Sequence, residues 1–189
     1  MTARQKYQGA PWLYDETTGD IVGVKDPDGS DFYFQRAPLL GLFHDNTTQT
    51  AALANTAYAM TFGETDISRG ITIVDTTKIT VSRAGVYNIQ FSVQLDRTNS
   101  GNDVVDIWFR KNGVDVSDSN TKVTISGSAN ACKTVAAWNF FVEANAGDYF
   151  QVMWNTPDTR VNLHYNAAGT SPTRPITPSV IVTVNEVAA

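Results

Sequence analysis

Hydrophobic and polar positions alternate with period two along most of the chain. Over residues 86–95, Tyr87, Ile89, Phe91, Val93 and Leu95 alternate with Asn88, Gln90, Ser92 and Gln94, the pattern of a strand with one buried face. Val105, Ile107 and Phe109 alternate in the same way with Asp106, Trp108 and Arg110. Asn112-Gly113 follows directly, and both residues tolerate the positive φ of a two-residue hairpin turn. Further strands are predicted over residues 40–45, 58–62, 71–74, 78–81, 121–125, 134–142, 149–154, 161–165 and 180–187. All are rich in Val, Ile, Thr and aromatics, and Gly, Asn, Asp and Pro punctuate them. The longest predicted loop is 167–178, which holds three prolines. Around ten strands without crossover helices predict an antiparallel sandwich or barrel.

One segment carries bulk on both faces. Between Cys132 and Val142, Thr134, Ala136, Trp138, Phe140 and Val142 share one side, and Val135, Ala137 and Phe141 share the other. Residues 149–154 have the same double-sided character. Such strands need cover on both sides, from a second sheet of the same chain or from a neighbouring subunit.

The first 38 residues read differently. Short apolar runs, Pro11-Trp12-Leu13-Tyr14, Ile21-Val22-Gly23-Val24 and Phe32-Tyr33-Phe34, are separated by Thr17-Thr18-Gly19-Asp20 and Pro27-Asp28-Gly29-Ser30. These separators are turn chemistry. Three short strands in a meander bury too little to be stable alone, so the segment is expected to dock onto something else. Ala37-Pro38 reads as the joint, giving an arm over 1–38 and a main domain over 39–189.

Charge and chemistry narrow the functions. The net charge is −5, and charged residues make up 17% of the chain, below the roughly 25% of ordinary soluble domains. No Lys/Arg cluster marks a nucleic-acid or anionic membrane surface, so neither partner is expected. No stretch has the length and apolarity of a signal peptide or membrane helix, and the chain is expected to be soluble, made in the cytoplasm and unprocessed. A single cysteine, Cys132, leaves no intrachain disulfide and no thiolate zinc site. His44 and His164 are the only histidines. They read as strand-end and outward-facing residues, without the motif context of nucleophilic catalysis. Asp96, Asp103, Asp106, Asp115 and Asp118 surround oxygen-rich turns, but they lack the spacing of a calcium loop and are ordinary turn residues. No catalytic residue, metal or cofactor is expected. Trp108, Trp154 and Tyr165 are candidates for binding a receptor or glycan, with Trp108 equally suited to covering a cross-strand neighbour.

Three ordered stretches, followed by a final strand, carry a family resemblance. They are Val81-Ser82-Arg83-Ala84-Gly85-Val86-Tyr87, then Val105 to Asn112-Gly113-Val114, then Val142-Glu143-Ala144-Asn145-Ala146-Gly147-Asp148-Tyr149. This order resembles the trimeric jelly roll shared by the tumour necrosis factor superfamily and the globular heads of complement. The resemblance implies an all-β, antiparallel two-sheet jelly-roll sandwich that assembles as a homotrimer. It places Val135, Trp138, Phe141, Tyr149 and Trp154 at the subunit interface. A second resemblance, in Tyr14-Asp15-Glu16-Thr17-Thr18-Gly19 and Gly23-Val24-Lys25-Asp26-Pro27-Asp28-Gly29, is to the amino-terminal segments of tailed-bacteriophage virion proteins. It implies anchoring through Trp12, Tyr14, Phe32, Tyr33 and Phe34 to a phage capsid or tail protein. The expectation is a non-enzymatic virion protein, a capsid decoration or head-fibre trimer. A tail-tip module adhering to a host receptor or glycan is the alternative.

Overall fold

A computed structural model describes residues 12–14, 21–25, 28–33, 37–128 and 132–188. The chain divides into two compact units, Met1–Ala37 and Pro38–Ala189. In the first, β1 (Trp12–Tyr14), β2 (Ile21–Lys25) and β3 (Asp31–Tyr33) form an antiparallel sheet in the order β1-β2-β3. The β2–β3 turn is closed by the Asp28 carboxylate, which accepts from the backbone N–H and the hydroxyl of Ser30. Gly29 beside it has φ +90°, which a side chain would strain.

The second unit is strands throughout. In chain order they are β4 (Leu40–Asp45), β5 (Gln49–Thr50), β6 (Tyr58–Ala59), β7 (Glu64–Arg69), β8 (Ile71–Val74), β9 (Lys78–Val81) and β10 (Gly85–Arg97). They continue with β11 (Gly101–Lys111), β12 (Val114–Asp115), β13 (Thr121–Gly127), β14 (Cys132–Ala144), β15 (Tyr149–Asn155) and β16 (Val161–Leu163), and end with β17 (Gly169–Thr170), β18 (Thr173–Arg174) and β19 (Val180–Ala188). One sheet runs β5-β16-β10-β19-β4-β7, with β14 on the other side of β10. The second runs β12-β11-β15-β9-β8, with β13 on β11 and β6 on β15. The chain passes from one sheet to the other between β10 and β11, between β14 and β15, and between β15 and β16. This alternation makes the sandwich a jelly roll.

The period-two residues meet between the sheets. Tyr87, Ile89, Phe91, Val93 and Leu95 of β10 and Val180, Val182 and Val184 of β19 are buried from one side. Val105, Ile107 and Phe109 of β11 and Phe150, Val152 and Trp154 of β15 are buried from the other. Four rings join the layers: Phe91 lies edge-on to Phe109 (6.0 Å) and to Trp138 (4.7 Å), and Phe109 to Phe140 (4.7 Å). Such contacts add about 0.5–1.5 kcal/mol each beyond area burial.

Polar locks close the ends. Glu186, buried near the end of β19, accepts the Leu39 N–H at 3.0 Å and pairs with Arg83, while the Tyr87 hydroxyl donates to the Arg83 carbonyl at 2.7 Å. Gly85 lies here with ordinary φ. A Cβ there would stand 2.6 Å from the Ala188 carbonyl oxygen, so close backbone approach explains this glycine, in place of the positive φ its turn position suggests. Gly147 does take φ +86°.

Several expectations shift. β7 was not foreseen, because all six of its residues are exposed and carry no alternation. It is a charged edge strand, the usual protection of a sheet edge. β6 stops at Ala59 and β16 at Leu163. One more bond to the same neighbour follows each, Met60 N–H to the Val152 carbonyl at 2.8 Å and His164 N–H to the Gln94 carbonyl at 2.7 Å. The backbone then turns to other partners: Phe62 N–H to the Thr76 carbonyl at 2.8 Å and Tyr165 N–H to Thr48 Oγ1 at 3.2 Å. Trp154 is a correction: it is 1% exposed and sits in the protomer's own core 6.2 Å from the Tyr58 ring, so it presents nothing to a neighbour. β15 has a strand on each side and the facing sheet below it, which accounts for its apolar pattern without a partner subunit.

Candidate assembly surface

The outward face of the first sheet is assembled from the residues that alternate with the core. Register places them in rows across β14, β10, β19 and β4. One row is Phe141, Asn88, Asn185 and Leu40; the next is Asn139, Gln90, Thr183 and Leu42, continued by Ile67 of β7; the third is Ala137, Ser92, Ile181 and His44. Val135 and Gln94 form a fourth. These rows hold no Asp, Glu, Lys or Arg on the four strands. The polar members are short and uncharged, and Asn139 Nδ2 donates to Asn88 Oδ1 at 3.2 Å.

Apolar side chains concentrate on β14, the edge strand. Val135 is 57% and Phe141 62% exposed. Covering a Phe of this exposure is worth about 1.5–3 kcal/mol at full burial. Charges appear at the borders: Asp96 with Lys133 at 2.8 Å at one end, Glu143 beyond Phe141 at the other, and on β7 Arg69 and Glu64, the register partners of Leu40 and His44, with Asp66 2.9 Å from His44.

Of the five residues expected at an interface, only Val135 and Phe141 share this face. Trp138 is corrected to the inner side of β14, half-buried against Phe91. Its indole Nε1 is buried with no hydrogen-bond partner among the described residues. Tyr149 belongs to the other sheet, where Lys78 Nζ stands 5.3 Å from its ring centre. Sequence reasoning missed Leu40, Leu42, Ile67, Gln90, Thr183 and Ile181. The signal was present in β4 and β19, where Leu40, Leu42 and Ile181 put apolar bulk opposite a buried face.

The turn motifs meet in space. Asp148 accepts from the Asn145 N–H (2.8 Å), from Asn112 Nδ2 (2.7 Å) and from Lys111 Nζ (2.9 Å), while Asn112 Oδ1 accepts from the Tyr149 N–H (2.9 Å). The backbone bond from Asn145, followed by Lys111 and Asn112, lowers the Asp148 pKa from 3.8 to about 2. The Asn-Gly and Gly-Asp turns, 35 positions apart, are thus one hydrogen-bonded corner. A second corner centres on Asp158, which Arg160 holds at a pKa of about 2 and toward which the buried Arg97 also points, at 3.4 Å.

The nucleophile and base candidates are dispersed. His44 has Nδ1 2.9 Å from Asp66 Oδ2 and Nε2 3.2 Å from Asn46 Nδ2, so both ring nitrogens are engaged. His164 Nε2 lies 3.1 Å from Asn166 Oδ1. The Cys132 thiol is buried and donates to the Ser128 carbonyl at 3.1 Å. Among the described residues no three His, Cys, Asp or Glu side chains converge as a metal site requires.

In the first unit, register aligns Trp12, Val24 and Phe32 across the three strands, and Leu13, Gly23 and Tyr33 in the adjacent row. Trp12 is 46% and Phe32 57% exposed, and Tyr14 is exposed beside Ile21. Phe34 and most of the two turn motifs lie outside the described residues.

No protein-family description and no curated protein matches the sequence. Solved structures do. The chain is similar to murine APRIL at pH 8.5 (8% identity, TM-score 0.51, covering 80% of this chain and 100% of that one). It is also similar to the Eiger TNF from S. frugiperda (11% identity, TM-score 0.51, covering 81% and 94%). With the two-sheet topology above, these likenesses establish the fold: an all-β, antiparallel jelly roll of the tumour necrosis factor type.

Proposed function

We propose that this chain is a structural protein that acts by self-assembly and display, without turnover. Three copies associate through the uncharged face of the β14-β10-β19-β4 sheet, and residues 1–38 attach the trimer to a larger particle. The observation that carries the reading is the set of four consecutive rows that hold no Asp, Glu, Lys or Arg on β14, β10, β19 and β4 and that include the exposed Val135 and Phe141. Solvated sheet faces of monomers bear charges, and a contiguous apolar and uncharged face favours association. The tumour-necrosis-factor-type fold supports a threefold assembly. For the arm, the row Trp12, Val24 and Phe32 supplies an apolar docking surface. The resemblance of its turns supports a tailed-phage virion as the particle, with capsid decoration or head-fibre attachment as the role.

Light scattering on a sizing column tests the assembly. The full chain is expected at three times the 20.6 kDa protomer mass, and Phe141→Asp at one protomer, because association would bury an unpaired charge. A wild-type monomer overturns the reading. For the arm, Trp12→Ser combined with Phe32→Ser is expected to abolish sedimentation with phage capsids while leaving the mass unchanged. Undiminished co-sedimentation removes the anchoring role.

A further inference from the structure

The opposite side of the sandwich carries a cleft of about 780 Å³ open to solvent. Its floor is β11 and β15, where Asp106 and Asn155 are register partners and Trp108 stands opposite the buried Met153. Its rim is the end of β12, with Asp115, and the connection from β12 to β13, with Asp118 and Asn120. Ser119 fixes that rim: its buried hydroxyl donates to the Val116 carbonyl at 2.7 Å and accepts the Phe109 N–H at 3.1 Å.

The lining divides into set and uncommitted groups. Trp108 is half-buried, and its Nε1–H donates to Asp115 at 2.9 Å. The polar edge of the indole is therefore engaged, and what it adds to the cleft is carbon surface. Asp115 is held further by Arg110 Nε at 2.7 Å, and Asp106 by Asn120 Nδ2 at 2.9 Å. Both carboxylates are fixed acceptors. Among the described residues the Asp118 carboxylate and the Asn155 amide have no hydrogen-bond partner, which leaves two acceptor-bearing groups and an amide donor facing a ligand.

This composition narrows the ligand class. Every ionisable side chain lining the cleft is an acid; Arg110 pairs with Asp115 and Lys122 with Asp106 at 3.4 Å, which leaves Asp118 as the uncompensated charge that disfavours phosphate, sulfate and carboxylate ligands. Polar lining outweighs the one ring and Val116, so an apolar ligand would strand unsatisfied groups. What fits is a molecule with a C–H face for the indole and hydroxyls around it to donate to Asp and exchange bonds with Asn. We propose that this cleft binds a neutral glycan, with Trp108 as the stacking platform and Asp118 and Asn155 as the hydroxyl-reading groups. The cleft lies on the sheet opposite the proposed assembly face, so a displayed trimer can hold both contacts at once.

The test uses the full chain on immobilised neutral oligosaccharides (glucose, mannose, galactose and N-acetylglucosamine hexamers), their sulfated and sialylated counterparts, and an oligolysine peptide. Retention on at least one neutral hexamer is expected, and none on the anionic set. Trp108→Ala is expected to weaken retention at least about tenfold, with Trp108→Phe restoring most of it. Asp118→Ala and Asn155→Ala, which remove no internal hydrogen bond, should each weaken it about three- to tenfold. Light scattering on the same samples reads the assembly separately, so loss of the trimer is not mistaken for loss of the site. Retention on oligolysine alone, on anionic glycans alone or on nothing overturns the proposal, as does undiminished binding by Asp118→Ala and Asn155→Ala together.

Discussion

The two sheets of residues 38–189 turn the same alternation outward with opposite chemistry. On the β11 and β15 side the outward positions hold Asp106, Arg110 and Lys122, tied into the pairs Arg110–Asp115 and Lys122–Asp106. On the β10 and β19 side the equivalent positions hold Gln, Ser, Thr, Asn and Ile. Both faces satisfy the same strand geometry and cover the same core, so folding does not require the difference. What separates them is the medium each is suited to: exposed pairs are stable in water and worth little to the fold, whereas a face without charges can be removed from water at low desolvation cost.

The strongest way to break this contrast is to exchange a charge between faces. Gln90→Lys, at the centre of the uncharged face, is expected to reduce the assembly to single protomers in light scattering, while Lys122→Gln on the other sheet leaves the mass unchanged. If both variants keep the wild-type mass, the uncharged face is not the contact. Next in size is the core that both faces share. Trp154→Ala should lower the unfolding free energy by about 3–5 kcal/mol in denaturant titration, far more than Phe141→Ala costs an isolated protomer. Equal losses would mean that Trp154 is not the core residue described.

A smaller effect sharpens the charged side. The Asp148 pKa is depressed on folding from 3.8 to about 2, so its contribution is complete above pH 4 and fades as the pH falls toward 2. Asp148→Asn should therefore lower stability at pH 6 and flatten the loss between pH 4 and 2. An acid profile that keeps the wild-type slope would remove Asp148 as a contributor.

Local pattern carried the fold a long way. Period-two runs placed the core faces of β10 and β11, and the Asn-Gly turn is as expected, with positive φ at Asn112 and Gly113. The interface was only partly legible. Double-sided bulk in β14 and β15 looks alike in sequence, yet β14 is an edge strand with a bare outer face and β15 lies inside its sheet. Burial on the second face depends on which strands lie alongside, and alternation carries no information about that. Trp138 and Phe141, three positions apart, fall on opposite faces for the same reason that makes the pattern readable.

By itself the sequence determined that the chain would be antiparallel β, which residues face a core, where turns fall, and that the first 38 residues differ from the rest. Each of these follows from forces acting within a few residues: side-chain alternation, proline and glycine dihedrals, and short-range capping. Only the tertiary structure decided that Trp154 is core, that Asn112 and Asp148 form one corner, that Leu40, Leu42 and Ile181 extend the face begun by Phe141, and that Trp108 lies among Asp106, Asp118 and Asn155. Most of those neighbours are brought together by strand order and register across tens of positions of chain, up to the 141 between Leu40 and Ile181, which the pairing of whole strands sets and no local segment encodes.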